Sequence, residues 1–191
     1  GGLTDAELDA LFARHREYQR LHAGPNYRSL VTMAQAHDIP LASHDDTTLQ
    51  HVDDALRDNV AIAEFPTTLE AAEALHAAGV RVLMGAPNLV RGGSHSGNVA
   101  TADLARSEKL DILSSDYVPS SLLAAALRLP EVAPADLPAA VRMVSKNPAE
   151  AVGLNDRGEI AVGRRGDLIR VKVSCSVPAV RAVWSAGTRV C

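Results

Sequence analysis

Residues able to do chemistry recur at one kind of place in this chain. His44 closes the short apolar run Leu41-Ala42-Ser43-His44, Glu64 closes Val60-Ala61-Ile62-Ala63-Glu64, and Asp116 follows Leu110-Asp111-Ile112-Leu113-Ser114-Ser115. A further run, Val80-Arg81-Val82-Leu83-Met84, ends in Gly85 and opens a segment of another character. From Gly85 to Asn98 the chain reads Gly-Ala-Pro-Asn-Leu-Val-Arg-Gly-Gly-Ser-His-Ser-Gly-Asn, with one guanidinium at Arg91 and one imidazole at His95. Such a segment suits an anion. Gly92 and Gly93 let the backbone approach phosphoryl oxygens, Arg91 can grip two of them in a fork, and Ser94 and Ser96 flank His95 with further donors.

The elements that must carry these residues follow from the spacing. About twenty residues separate the first three strand ends, enough for one loop and one helix each, which is the rhythm of parallel β/α units. Such units place their chemistry at the C-terminal ends of the strands, so His44, Glu64 and Asp116 are expected to face one pocket. Upstream, Thr4 to His22 is helical in pattern behind a capping box Thr4-Asp5-Ala6-Glu7. Ala23-Gly24-Pro25-Asn26 is expected to end that helix, and a second one to run over about 27–37. Asp46-Thr47-Thr48 caps a helix running to Asp58, and Thr67-Thr68-Leu69-Glu70 reads as another capping box, opening a helix that ends at Ala78-Gly79. Beyond Asp116, helices are expected near 119–129 and 135–146. Then the rhythm changes to short strands at 158–163, 167–173 and 179–184, a small all-β appendage.

Composition narrows the classes of function. The chain has 191 residues, 47% of them apolar, a formal charge of −4 and 3% aromatics. This is enough for a real core, while the absence of a basic stripe and of stacking rings argues against a nucleic-acid partner. No apolar run is long enough to cross a membrane, no leader segment is expected at the N-terminus, and Cys175 and Cys191 stand far apart, so a reducing cytoplasm is the expected location.

Several motifs carry a resemblance. The passage from Asn147-Pro148-Ala149-Glu150 to Gly153-Leu154, followed by Gly158-Glu159-Ile160 and Gly163-Arg164-Arg165-Gly166-Asp167-Leu168, resembles the C-terminal part of the amidohydrolase superfamily. There a metal-bearing barrel hands over to a β-sandwich. Ala42-Ser43-His44-Asp45-Asp46, Ala63-Glu64-Phe65-Pro66-Thr67-Thr68, Gly85-Ala86-Pro87-Asn88, Arg91 to Asn98 and Ser114-Ser115-Asp116-Tyr117 resemble the branch that works in phosphonate breakdown. The resemblance implies an α/β fold: the second half of a metal-dependent (β/α)8 barrel over 1–152, strands five to eight, then part of a C-terminal β-sandwich over 153–191. It implies a divalent metal ion, zinc, manganese or magnesium, held by His44, Glu64 and Asp116. Asp116 also takes the proton of the attacking water, and Arg91, Gly92, Gly93, Ser94, His95 and Ser96 hold the substrate phosphates. The implied reaction releases pyrophosphate from a small-molecule ribosyl triphosphate. Many relatives carry a histidine where this chain has Glu64, which leaves the role of that carboxylate open.

Members of this family are roughly twice as long and bear a His-x-His pair that is not found here; His15, His22 and His37 form no such pair. The chain is therefore expected to be an incomplete, inactive half that forms a homo-oligomer or pairs with a missing N-terminal half. Two other readings stand beside it. One is another amidohydrolase, a deaminase or cyclic amidase, although Arg91 and the glycine–serine segment suit polyphosphate better than a neutral ring. The other is a catalytically dead binding or scaffold module.

Overall fold

The structure is a computed structural model that describes residues 3–94, 97–175 and 177–191. It divides into two compact units, one ending at Ile39 and the other running from Pro40 to Cys191.

The first unit is a single helix, α1 (Asp5–Ala36). Its capping box forms as expected: the Thr4 amide donates to Glu7 Oε2 at 2.7 Å and the Glu7 amide to Thr4 Oγ1 at 3.4 Å. The expected break at 23–26 is absent, and Pro25 lies inside the helix. Proline removes one donor and crowds the carbonyl four residues back, that of Leu21. Leu21 is half exposed, so water can satisfy that carbonyl and the turns on either side continue.

The second unit opens with the β/α rhythm. Strands β1 (Leu41–His44), β2 (Val60–Glu64), β3 (Arg81–Gly85) and β4 (Ile112–Ser114) form one parallel sheet in sequence order. Helices α2 (Leu49–Arg57) and α3 (Leu69–Ala77) cross between the first three. Thr48 and Thr68 cap them by accepting the amides of His51 and Ala71. The second is a simple cap rather than the expected box, because with Thr68 at the cap the third helical residue is Ala71, which has no side-chain acceptor. The residues that end the helices and turn into the strands are left-handed: Asp38, Asn59, Gly79 and Glu108, with φ of 53°, 56°, 86° and 59°. Amides beyond them reach back across the last turn, as Val80 does to Leu75 at 3.0 Å and Lys109 to Leu104 at 2.8 Å. Ala63, Val82, Leu75, Leu104 and Leu129 are fully buried between sheet and helices.

After β3 the chain departs from expectation. Residues read as an open glycine loop begin as a helix, α4 (Ala86–Arg91), with Pro87 in its first turn and Gly92 as its left-handed end at φ 93°. A short α5 (Thr101–Arg106) precedes β4, and α6 (Ser121–Val132), α7 (Leu137–Arg142) and α8 (Lys146–Ala151) follow it. The helix expected over 135–146 is thus shorter, ending at Arg142, and α8 begins where it was expected to end.

The tail is a three-stranded antiparallel sheet, β5 (Leu168–Ser174), β6 (Val177–Ser185) and β7 (Thr188–Arg189). Ala186 and Gly187, both at positive φ, make the tight turn between the last two. The strand expected at 158–163 does not form. Gly158 and Gly163 both take positive φ, and between them Glu159 is gripped by Lys146 at 2.6 Å and by Arg164 at 2.9 Å, so this stretch is a clip rather than a ladder. The Lys146 ammonium, and then Arg164, hold the Glu159 carboxyl below its ordinary range.

Candidate functional site

Three strand mouths turn in the same way. Asp45 follows β1, Phe65 follows β2 and Asp116 lies two residues beyond β4, each left-handed at φ 60°, 55° and 49°. Backbone bonds lock the first two turns to the neighbouring strand: the Asp45 amide donates to the Glu64 carbonyl at 3.0 Å and the Phe65 amide to the Leu83 carbonyl at 2.9 Å. These turns aim the side chains that precede them. His44 and Glu64 are register partners across β1 and β2, and His44 Nε2 stands 3.9 Å from Glu64 Oε2.

The other ring nitrogen of His44, Nδ1, is 3.0 Å from Asp45 Oδ2. A carboxylate on one imidazole nitrogen favours the tautomer that leaves the other nitrogen's lone pair outward, the arrangement common behind metal-bound histidine. Two ligands at about 2.0–2.1 Å from one ion sit roughly 3–3.5 Å apart. The His44–Glu64 pair is therefore close to that separation, and its chemistry fits a divalent cation.

Asp116 lies at the mouth of β4, two strands beyond β2 in sheet order. No group of three His, Cys, Asp or Glu side chains among the described residues is placed to hold a metal. His44 and Glu64 are paired at the mouths of β1 and β2, and Asp116 stands at the mouth of β4.

Asp116 lines a pocket of about 190 Å³ with Phe65, Met84, Gly85, Asn88, Arg91, Ser94, Asn98 and Tyr117, and Asp45 at its edge. Its Oδ2 would lie 3.5 Å from a Cβ placed on Gly85, and Phe65 Cε1 3.7 Å, so the carboxylate and the ring meet over that glycine. Phe65 also stands edge-on to the His44 ring at a centroid separation of 5.5 Å. The pocket is smaller than the roughly 300–1,000 Å³ of a whole small-molecule site, and accommodates part of a ligand.

The phosphate segment is reorganised relative to expectation. Arg91 sits in the last turn of α4, and Ser94 lines the same pocket. The Gly92 and Gly93 amides both donate to the Asn88 carbonyl at 3.0 Å, so in this structure these glycines close α4. His95 and Ser96 lie outside the described residues. Sequence reasoning missed Asn88, Asn98, Tyr117 and Phe65 as pocket residues, and Asp45 as the partner of His44. For Asp45, Phe65 and Tyr117, closeness to a strand end was the signal available.

The fold is a β/α architecture whose candidate site residues sit at strand ends. The profile of the amidohydrolase family matches residues 18–190, and the chain belongs to that family. It is 47% identical over 190 residues to the alpha-D-ribose 1-methylphosphonate 5-triphosphate diphosphatase of Escherichia coli (strain K12), covering 98% of this chain and 50% of the relative. The chain thus spans about half the length of the curated relative it matches. Among solved structures it resembles an amidohydrolase from Thermotoga maritima MSB8 at a TM-score of 0.65 and 18% identity, covering 98% of this chain and 56% of the other. It also resembles the N-isopropylammelide isopropylaminohydrolase of Burkholderia multivorans ATCC 17616 at 0.54 and 16%, covering 83% and 49%. These two likenesses speak to the fold alone.

Proposed function

We propose that this chain supplies part of the active site of a metal-dependent hydrolase that cleaves a ribosyl 5-triphosphate and releases pyrophosphate, the activity in the name of the E. coli relative. The observation that carries this reading is the 47% identity sustained over 98% of the chain, which spans every residue of the strand mouths and the pocket. His44 and Glu64 would hold the cation, zinc, manganese or magnesium, with Asp45 orienting the imidazole. When bound, such an ion lowers the pKa of water towards neutrality and offsets phosphate charge. Arg91 and Ser94 grip the phosphoryl oxygens, joined on the strength of the motif by His95 and Ser96. Asp116, exposed at the pocket mouth, accepts the proton of the attacking water as the phosphoanhydride bond breaks.

A homo-oligomer, or pairing with a further half, completes this reading. What supports it is that β1 and β4 are both edges of the parallel sheet, and unpaired edges recruit partners. No helix among the described residues is long and apolar enough to cross a membrane. Cys175 and Cys191 are exposed free thiols, which supports a reducing cytoplasm.

The test is pyrophosphate release by the full natural protein with saturating divalent metal. Asp116→Asn keeps the size and removes the proton acceptor, so turnover should fall by at least about a hundredfold. Near-normal turnover in that variant would overturn the role of Asp116.

A further inference from the structure

Asn88 lies on α4 three residues before Arg91, so the two side chains share a face of that helix, and both line the pocket. The Asn88 carboxamide is held in one orientation. It accepts the backbone N–H of Thr101 at 3.1 Å, and only the carbonyl oxygen of an amide can accept, so Oδ1 is committed and Nδ2 takes the opposite direction. Thr101 is itself anchored: it is fully buried, and its hydroxyl donates to the Gly85 carbonyl at 3.3 Å. One end of the carboxamide thus serves the fold and leaves the amino end to the half-buried pocket side.

We propose that Asn88 is a binding residue for polyphosphate, donating from Nδ2 to a non-bridging phosphoryl oxygen beside the Arg91 guanidinium. This rests on reading the pocket as the phosphate end of the site. The guanidinium supplies charge, and a neutral amide held by Thr101 adds a fixed direction, so the pair can distinguish a phosphoryl group from a lone carboxylate. In this structure the Gly92 and Gly93 amides are engaged with the Asn88 carbonyl, which adds to the value of a side-chain donor beside Arg91.

The variant Asn88→Asp separates the two ends of the side chain. It keeps an oxygen for the Thr101 amide and replaces the donor by an anion, whereas Asn88→Ala removes both. Calorimetric binding of inorganic pyrophosphate, with thermal unfolding, should be measured on the full natural protein and on Asn88→Asp, Asn88→Ala and Arg91→Ala. Asn88→Asp should unfold close to the parent yet bind pyrophosphate roughly tenfold to a hundredfold more weakly, the loss of one bond to a charged group. Asn88→Ala should lose both stability and affinity. Parent-like affinity in either Asn88 variant, with Arg91→Ala weakened, would overturn the proposal and leave the pocket reading standing. Parent-like affinity in Arg91→Ala as well, or a parent that binds no pyrophosphate, would overturn both.

Discussion

Replacing Gly158 by Ala tests the clip that ties the last helix of the barrel part to the tail. A Cβ at this position would lie 2.7 Å from the Cα of Lys146 and 3.0 Å from the carbonyl oxygen of Ser145, both backbone atoms that cannot swing aside. The residue also sits at φ 90°, where an L side chain costs about 1–2 kcal/mol. Forcing the helix start away adds about 1–3 kcal/mol, the usual toll of overpacking. The total is about 2–5 kcal/mol. Gly153 is the control: its φ is 75° and a Cβ there meets nothing within 4 Å, so Gly153→Ala carries the backbone cost without the clash. Urea unfolding of the two variants should differ by about 1–3 kcal/mol, with Gly158→Ala the weaker. In a chain of this size that is a difference of about 2–4 °C in melting temperature for each kcal/mol. Equal losses in the two variants would refute the close approach of residue 158 to α8.

Further expectations follow from the site and from the clip. Asp45→Ala removes the carboxylate behind His44 Nδ1, so zinc affinity of the full natural protein should fall roughly tenfold to a hundredfold in a metal titration; unchanged affinity would remove Asp45 from any orienting role. Glu159 has its folded-state pKa depressed by the Lys146 ammonium and then by Arg164, so its contribution is present above the unfolded carboxyl value and is lost as pH falls through the folded one. Glu159→Gln should therefore lower stability near neutrality and flatten its decline towards acid; parallel pH profiles for parent and variant would contradict this linkage.

Much of this architecture was legible because β/α units advertise themselves. The apolar runs at 41–44, 60–64 and 81–85 and the threonine caps at Thr48 and Thr68 follow from patterning, and so do the strand-end positions of His44 and Glu64. What was not legible depends on competing uses of the same residue. Glycine at 92 suits a phosphate cradle or a helix end equally well, and in this structure its amide bonds the Asn88 carbonyl at the end of α4. Pro25 reads as a stop, yet an exposed helix tolerates it. The alternation at 158–163 mimics a strand, whereas ion pairs to Lys146 and Arg164 and two left-handed glycines hold it as a clip. Left-handed Asp45, Phe65 and Asp116 carry no sequence mark at all, although they steer the side chains at the strand mouths.

The measurement that bears most directly on the proposed activity is phosphorus NMR of a ribosyl 5-triphosphate incubated with the full natural protein and a divalent metal. One equivalent of pyrophosphate and one of the 5-phosphate should appear together, with no orthophosphate, and both signals should vanish when the metal is chelated. Stepwise release of orthophosphate, or an intact triphosphate under conditions in which the protein hydrolyses an amide or amine substrate, would contradict the proposed activity.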